Sequence, residues 1–196
     1  MIFYSPTLEE RCRLYAEKFP TFPKPYVFNN RIEGHWIMGN NYTTSGYYGA
    51  YPHGYLARVL SMFPDKSKII HVCSGSLPPG PYTRVDIRPE VNPDIVCNVE
   101  ELSKHVPNDY FDLALVDVPY SKEDAEHYGQ PLLKRQKVLS EIHKILVSGG
   151  WAVWLDQVQP NYSKVNWNQA LSIGIVKSTN HRVRAVFGFE KKGEQS

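Results

Sequence analysis

Four short apolar runs, each closing on polar or small residues, constrain this chain more than any other feature. They are "KIIHVCS" (68–74), "YTRVDI" (82–87), "DIVCNV" (94–99) and "FDLALVDV" (111–118). They are rich in Val, Ile and Leu, as expected of strands buried on both faces in a parallel sheet. Val138, Leu139, Ile142, Ile145 and Leu146 then have helical spacing, and that helix is expected to stop at Gly149-Gly150. "WAVWLDQV" (151–158) reads as a fifth strand. "SIGIVKS" and "RVRAVFGFE" flank the turn "STNH" and predict an antiparallel hairpin. The expected fold is α/β, a mainly parallel sheet closed by a C-terminal hairpin. Only about eight residues separate the first two runs, whereas a helical crossover needs about a dozen. "GSLPPGP" has no room for a helix of any length, so the first crossover helix is expected to be short or missing.

At 196 residues and 42% hydrophobic, the chain can bury one sizeable core, which predicts a single domain over 1–196. Residues 1–52, rich in Pro, Tyr, Asn and Gly, are expected to form an N-terminal arm, with one short helix around Leu8–Phe19. "FPTFPKPYVFNN" reads as an extended segment and "GNNYTTSGYYGAYPHG" as a loop. Tyr55, Leu56, Val59, Leu60 and Phe63 predict a helix closed by Pro64. Lys+Arg 22 against Asp+Glu 20 gives a formal charge of +2, which neither marks a strong nucleic-acid binder nor excludes a local basic patch. Three cysteines without CxxC spacing predict a reduced, cytoplasmic protein without structural zinc. No run has the length of a membrane span. The oligomeric state is left open, a homodimer included.

Ligands of open α/β sheets sit at the carboxyl ends of the strands, so the residues there are the candidates. The first strand ends in Cys73, Ser74, Gly75 and Ser76, where small side chains permit close approach to the backbone. A plain Gly/Pro turn explains the same residues. The second ends in Asp86 and Ile87, and a carboxylate there can accept both hydroxyls of a ribose. The third carries Asn98, Val99 and Glu100, able to line an adenine slot, although Glu100 also suits the start of a helix. The fourth runs into Asp117, Val118, Pro119 and Tyr120.

Together these strand ends resemble those of class I S-adenosylmethionine-dependent methyltransferases, over about residues 55 to 190. "HVCSGS" is similar to the glycine motif in its DNA-methyltransferase form, and "DVPY" resembles the (D/N)-P-P-(Y/F) motif of amino-methyltransferases acting on adenine N6 or cytosine N4. "KILVSGGWAVW" resembles the family's helix-to-strand turn. The resemblance implies a Rossmann-like fold, with S-adenosyl-L-methionine as cofactor. It also implies cofactor contacts from Cys73, Ser74, Gly75, Ser76, Asp86, Ile87, Asn98, Val99 and Glu100, and an acceptor amine held by the Asp117 side chain and the Val118 carbonyl. An exocyclic amine conjugated to a base ring is a poor nucleophile. Two acceptors on its hydrogens let the nitrogen pyramidalise, Pro119 stiffens the turn, and Tyr120 offers a stacking face. Val118 stands where the family has its first proline, and its carbonyl remains available. The acidic residue usual near the end of the first strand is absent. Asn40, Tyr48 and Gly49 are expected to fold over the methionine end, where the missing helix leaves a gap; an aromatic packing arm accounts for them equally well.

The substrate is expected to be nucleic acid, DNA above all, or a nucleotide-like molecule. Lys134, Arg135 and Lys137, with His181, Arg182 and Arg184 near the last hairpin, are the candidates to meet phosphate, and His127 and Tyr128 to gate the site. The expected activity is methyl transfer to an exocyclic amine, adenine N6 in DNA. RNA, a nucleotide, another small molecule, or a non-catalytic subunit that retains the fold are the alternatives. A nicotinamide-binding domain is excluded, since no G-x-G-x-x-G opens a helix.

Overall fold

A computed structural model describes residues 5–39, 51–128, 130–177 and 183–193. Its strands are β1 (Tyr26–Phe28), β2 (Arg31–Met38), β3 (Ile69–Val72), β4 (Thr83–Asp86), β5 (Ile95–Val96), β6 (Phe111–Val116), β7 (Leu146–Asp156), β8 (Trp167–Lys177) and β9 (Val183–Lys191). The α-helices are α1 (Leu8–Lys18), α2 (Tyr55–Ser61), α3 (Lys122–His127) and α4 (Arg135–Ile145). All the strands join one sheet in the order β1-β2-β8-β9-β7-β6-β3-β4-β5. Its centre is parallel, β5 to β4 to β3 to β6 to β7. β9 runs antiparallel between β7 and β8, as the hairpin pattern predicts; the turn "STNH" lies outside the described residues.

Period-two alternation along the central strands separates two apolar layers. Val72, Ala114, Val116, Ala152 and Trp154 face one side, against Val138, Leu139, Ile142 and Ile145 of α4. Leu113, Leu115, Val153 and Leu155 face the other, against Tyr15 of α1 and Tyr55 and Val59 of α2. No helix lies between β3 and β4, so the short proline-rich connection is a loop, as expected.

The N-terminal segment departs from the expected arm. Residues 26–38 form a hairpin that extends the sheet, with β2 pairing in parallel with β8 from Ile32↔Leu171 to Met38↔Lys177. Asn29 and Asn30 carry its two-residue turn with φ of 47° and 56°, the left-handed conformation that asparagine tolerates and tight hairpins require. Ile32, Trp36 and Met38 point inward, and Tyr15 stacks on Trp36 at 5.5 Å. Helix α1 starts on a capping box between Thr7 and Glu10.

Two boundaries also differ. α4 ends at Ile145, before Gly149-Gly150, because Leu146 already pairs with Phe111 and the strand begins there. Gly149, at φ 72°, sits inside β7 where the register with β6 shifts. The third strand shrinks to Ile95–Val96, since Asn98 caps a 3-10 turn over Val99–Lys104.

Candidate active site at the carboxyl edge of the sheet

Parallel pairing brings the predicted strand ends to one edge. Val72 is level with Val85 on one side and Val116 on the other, and Val116 with Trp154. Cys73, Asp86, Asp117 and Asp156 therefore leave the sheet together. Asp156 pairs with Ala185 of the antiparallel β9, which delivers Arg184 to the same edge.

The turn after β3 is tight. Cys73 and Gly75 have φ of 59° and 54°, and the Ser74 amide donates to the Val85 carbonyl at 2.9 Å. The Gly75 amide donates to Oδ2 of Asp86 at 2.8 Å. Oδ1 of Asp86 accepts from the backbone and the Nε of Arg88 at 3.0 and 3.2 Å. Asp86 thus ties the glycine turn to β4 while buried at 4% exposure, and a carboxylate has about four lone-pair positions, so acceptor capacity remains. Ile87 continues the chain beside it, half-buried. Burial, with Asp86 and Asp117 nearby, pushes the Cys73 thiol well above its ordinary pKa, which removes it as a nucleophile at neutral pH.

A cleft of about 300 Å³ opens beside this turn, lined by Tyr51, Pro52, Ser74, Ser76, Leu77 and Pro78. Among the described residues the enclosed Ser74 Oγ in this wall has no hydrogen-bond partner; nor has the hydroxyl of Tyr55, a fully buried side chain stacked on the cleft residue Tyr51 at 5.3 Å. Buried polar atoms left unmade cost free energy, and a ligand with polar groups would satisfy them. The Ser74 Oγ in its wall therefore fits a small ligand with a polar group, lodged beside the glycine turn.

The stretch after β6 makes the second half of the site. The Asp117 amide donates to the Val72 carbonyl at 3.2 Å, which fixes the turn against β3. Val118 is buried and Pro119 half-buried. The Tyr120 hydroxyl donates to Oδ1 of Asp117. Burial pushes the Asp117 carboxyl up to about 6, against the opposing pull of the Tyr120 hydroxyl and the Arg184 charge. Tyr120 is held at three points: its hydroxyl by Asp117, its carbonyl by Arg135 at 2.8 Å, and its ring by the Arg184 guanidinium at 4.5 Å.

The other predicted residues divide. Asn98 uses its Oδ1 to cap the 3-10 turn through the Glu100 amide at 2.9 Å, and Val99 is buried in the core below. Glu100 accepts from the Lys134 amide at 2.7 Å and pairs with Lys137 at 3.6 Å. Arg135 is committed to Asp156 at 2.7 Å, beneath Tyr120, and it is not presented as an open phosphate contact. Asn40, Tyr48, Gly49, His181 and Arg182 lie outside the described residues, as does the side chain of His127. Tyr128 receives the Arg88 guanidinium on its ring at 4.5 Å.

Sequence reasoning missed Asp156 and Arg88. Asp156 closes "WAVWL" as the other carboxylates close theirs, and the strand-end rule applied to that run finds it. Arg88 stands two residues after Asp86 and carries no separate signal. Among the described residues no acidic, His or Cys cluster could hold a metal ion, and no helix is long and apolar enough to cross a membrane.

No protein-family model matches the chain, and no curated protein matches it. Solved structures do. TrmN from Thermus thermophilus superposes with a TM-score of 0.51 at 14% identity, over 74% of this chain and 50% of that one. A putative methyltransferase, yhhF, from Escherichia coli gives 0.48 at 12%, over 81% and 98%. A 1,6-didemethyltoxoflavin-N1-methyltransferase from Burkholderia thailandensis, with bound S-adenosylhomocysteine, gives 0.45 at 13%, over 78% and 99%. The chain spans half the length of TrmN. At these identities the likeness is one of fold, the Rossmann-like sheet with a reversed last strand.

Proposed function

We propose that the protein is an S-adenosyl-L-methionine-dependent methyltransferase acting on an exocyclic amino group of a nucleobase, adenine N6 in DNA. The observation that carries this reading is the meeting of Asp117 and the Val118 backbone with the Asp86-braced glycine turn on one sheet edge. S-Adenosylmethionine would supply an electrophilic methyl group, with Asp86 toward its ribose and Ser74 and the neighbouring cleft toward its methionine end. The protein's own work is positioning. Asp117, when ionised, accepts one amine hydrogen and the Val118 carbonyl the other, which turns the nitrogen lone pair toward the cofactor side. With its carboxyl at about 6, Asp117 is mostly ionised at neutral pH, and the proton released after transfer can leave through it.

The same chemistry on RNA or on a small nucleotide is the second reading. The commitment of Arg135 and Lys137 to Asp156 and Glu100 shrinks the surface available to a long polyanion, which favours the small nucleotide over either nucleic acid. Incubation with methyl-labelled cofactor and DNA, RNA or nucleotides, followed by nucleoside analysis, tests both. Label in N6-methyladenine from DNA supports the first. Label only in RNA or nucleotides supports the second, and none in any nucleobase removes both.

A further inference from the structure

Of the six basic residues that the sequence offers for phosphate contact, the four described ones are not equivalent in the structure. Arg135 is neutralised by the buried Asp156 and Lys137 pairs with Glu100, while Lys134 is exposed, with its backbone amide held by Glu100. Arg184 differs. Its backbone pairs with Ile175 in the sheet, but among the described residues its side chain makes no ion pair and no hydrogen bond, and the guanidinium rests over the Tyr120 ring at 4.5 Å. Its Nε is enclosed and has no partner. Its charge nonetheless reaches both Asp117 and Tyr120, which places the guanidinium at the acceptor end of the site.

A cation with an unmade buried donor, beside the acceptor carboxylate, is costly to keep unless something completes it. Stacking holds the guanidinium plane while leaving its fork of N–H donors uncommitted. That fork matches two oxygens of a phosphate. Resting on the amino-methyl-transfer reading above, we propose that Arg184 anchors a phosphate group of the acceptor, so that the acceptor is a nucleotide unit and not a free nucleoside. The phosphate belongs either to a mononucleotide or to a polynucleotide chain.

Titration calorimetry of the full chain with adenosine, AMP and short single strands of DNA and RNA tests this without methyl transfer. Wild type is expected to bind a phosphorylated ligand at least about tenfold more tightly than adenosine. Arg184→Ala should bring that ratio close to one. Arg184→Lys, which keeps a point charge and loses the fork, should fall between. Lys104→Ala, an exposed lysine away from the site, should leave the ratio intact. Preference for AMP identifies a mononucleotide acceptor; preference for a strand but not AMP identifies a polymer phosphate. The proposal is overturned by a wild-type ratio near one, by a full ratio in Arg184→Ala, or by an equal loss for adenosine and phosphorylated ligands. Should Arg184→Ala not fold, Arg184→Lys with an undiminished ratio has the same force. A phosphate preference that depends on Arg184, in a protein that transfers no methyl group, would sink the enzymatic reading and leave the phosphate site standing.

Discussion

The Tyr120 hydroxyl donates its hydrogen bond to Oδ1 of Asp117. A ring that sequence reasoning assigns to stacking thus also governs the charge of the carboxylate three residues before it. Burial raises the Asp117 carboxyl to about 6 and the hydroxyl opposes that rise.

The first prediction is a pH profile. Transfer needs ionised Asp117, so the rate should fall as pH drops through about 6. Tyr120→Phe removes the stabilising donor, and the acid limb should move to higher pH while activity at pH 8 is largely kept. Tyr120→Ala should lose roughly 1–3 kcal/mol of acceptor stacking in addition. An acid limb in Tyr120→Phe that coincides with wild type would show that the hydroxyl does not tune Asp117.

Asp117→Asn should abolish transfer and stabilise the fold at neutral pH. The folded pKa lies above the ordinary 3.8, so the ionised form is penalised by folding. That penalty is absent below pH about 4, grows through about 6 and is full above it. Removing the charge should therefore add roughly 2–3 kcal/mol at pH 7 to 8 and nothing near pH 3. Urea unfolding of both proteins across that range measures it, and a neutral-pH loss of stability would contradict the assignment.

Asp86→Ala is expected to weaken cofactor binding by roughly 1.5–3 kcal/mol, through a lost bond to a charged acceptor. Because Asp86 also holds the Gly75 amide and Arg88, the variant should lose thermal stability as well. Calorimetry with unchanged affinity in a folded variant would remove the ribose assignment.

Arg135→Ala separates a brace from a phosphate contact. It leaves the fully buried Asp156 without its cation, a change that costs about 3–5 kcal/mol in comparable pairs. Chemical denaturation should report that loss, with no change in the salt dependence of any nucleic-acid binding. A stable variant with a reduced salt slope would restore Arg135 to the substrate surface.

The central sheet was legible because its strands are buried on both faces, and continuous Val-Ile-Leu runs such as "FDLALV" leave little else for those residues to do. The loop between β3 and β4 followed from the short spacing of the two runs together with Pro78, Pro79 and Pro81. β2 was not seen because "RIEGHWIM" has one polar face and follows a proline-aromatic tract that suggests an arm; the decisive signal was Asn29-Asn30, a pair suited to a tight hairpin turn. At the site, strand ends identify Asp86 and Asp117 by position. Partnership is another matter. That Arg135 is neutralised depends on Asp156 of β7, brought against it by the packing of α4 and distant in sequence, and no local pattern encodes that.

The parallel pairing of β2 with β8 bears on when the protein can assemble. Ile32 meets Leu171 and Met38 meets Lys177, 139 positions apart in each pair, so β2 has no parallel partner until β8 has been made. Through that interval only β1 is available to β2, and a two-stranded hairpin is marginal by itself. Contacts of such long sequence separation are slow to close. Folding should therefore proceed from the β3-β6-β7 centre outward, with the N-terminal hairpin docking last, and refolding should show a late phase reported by the burial of Trp36.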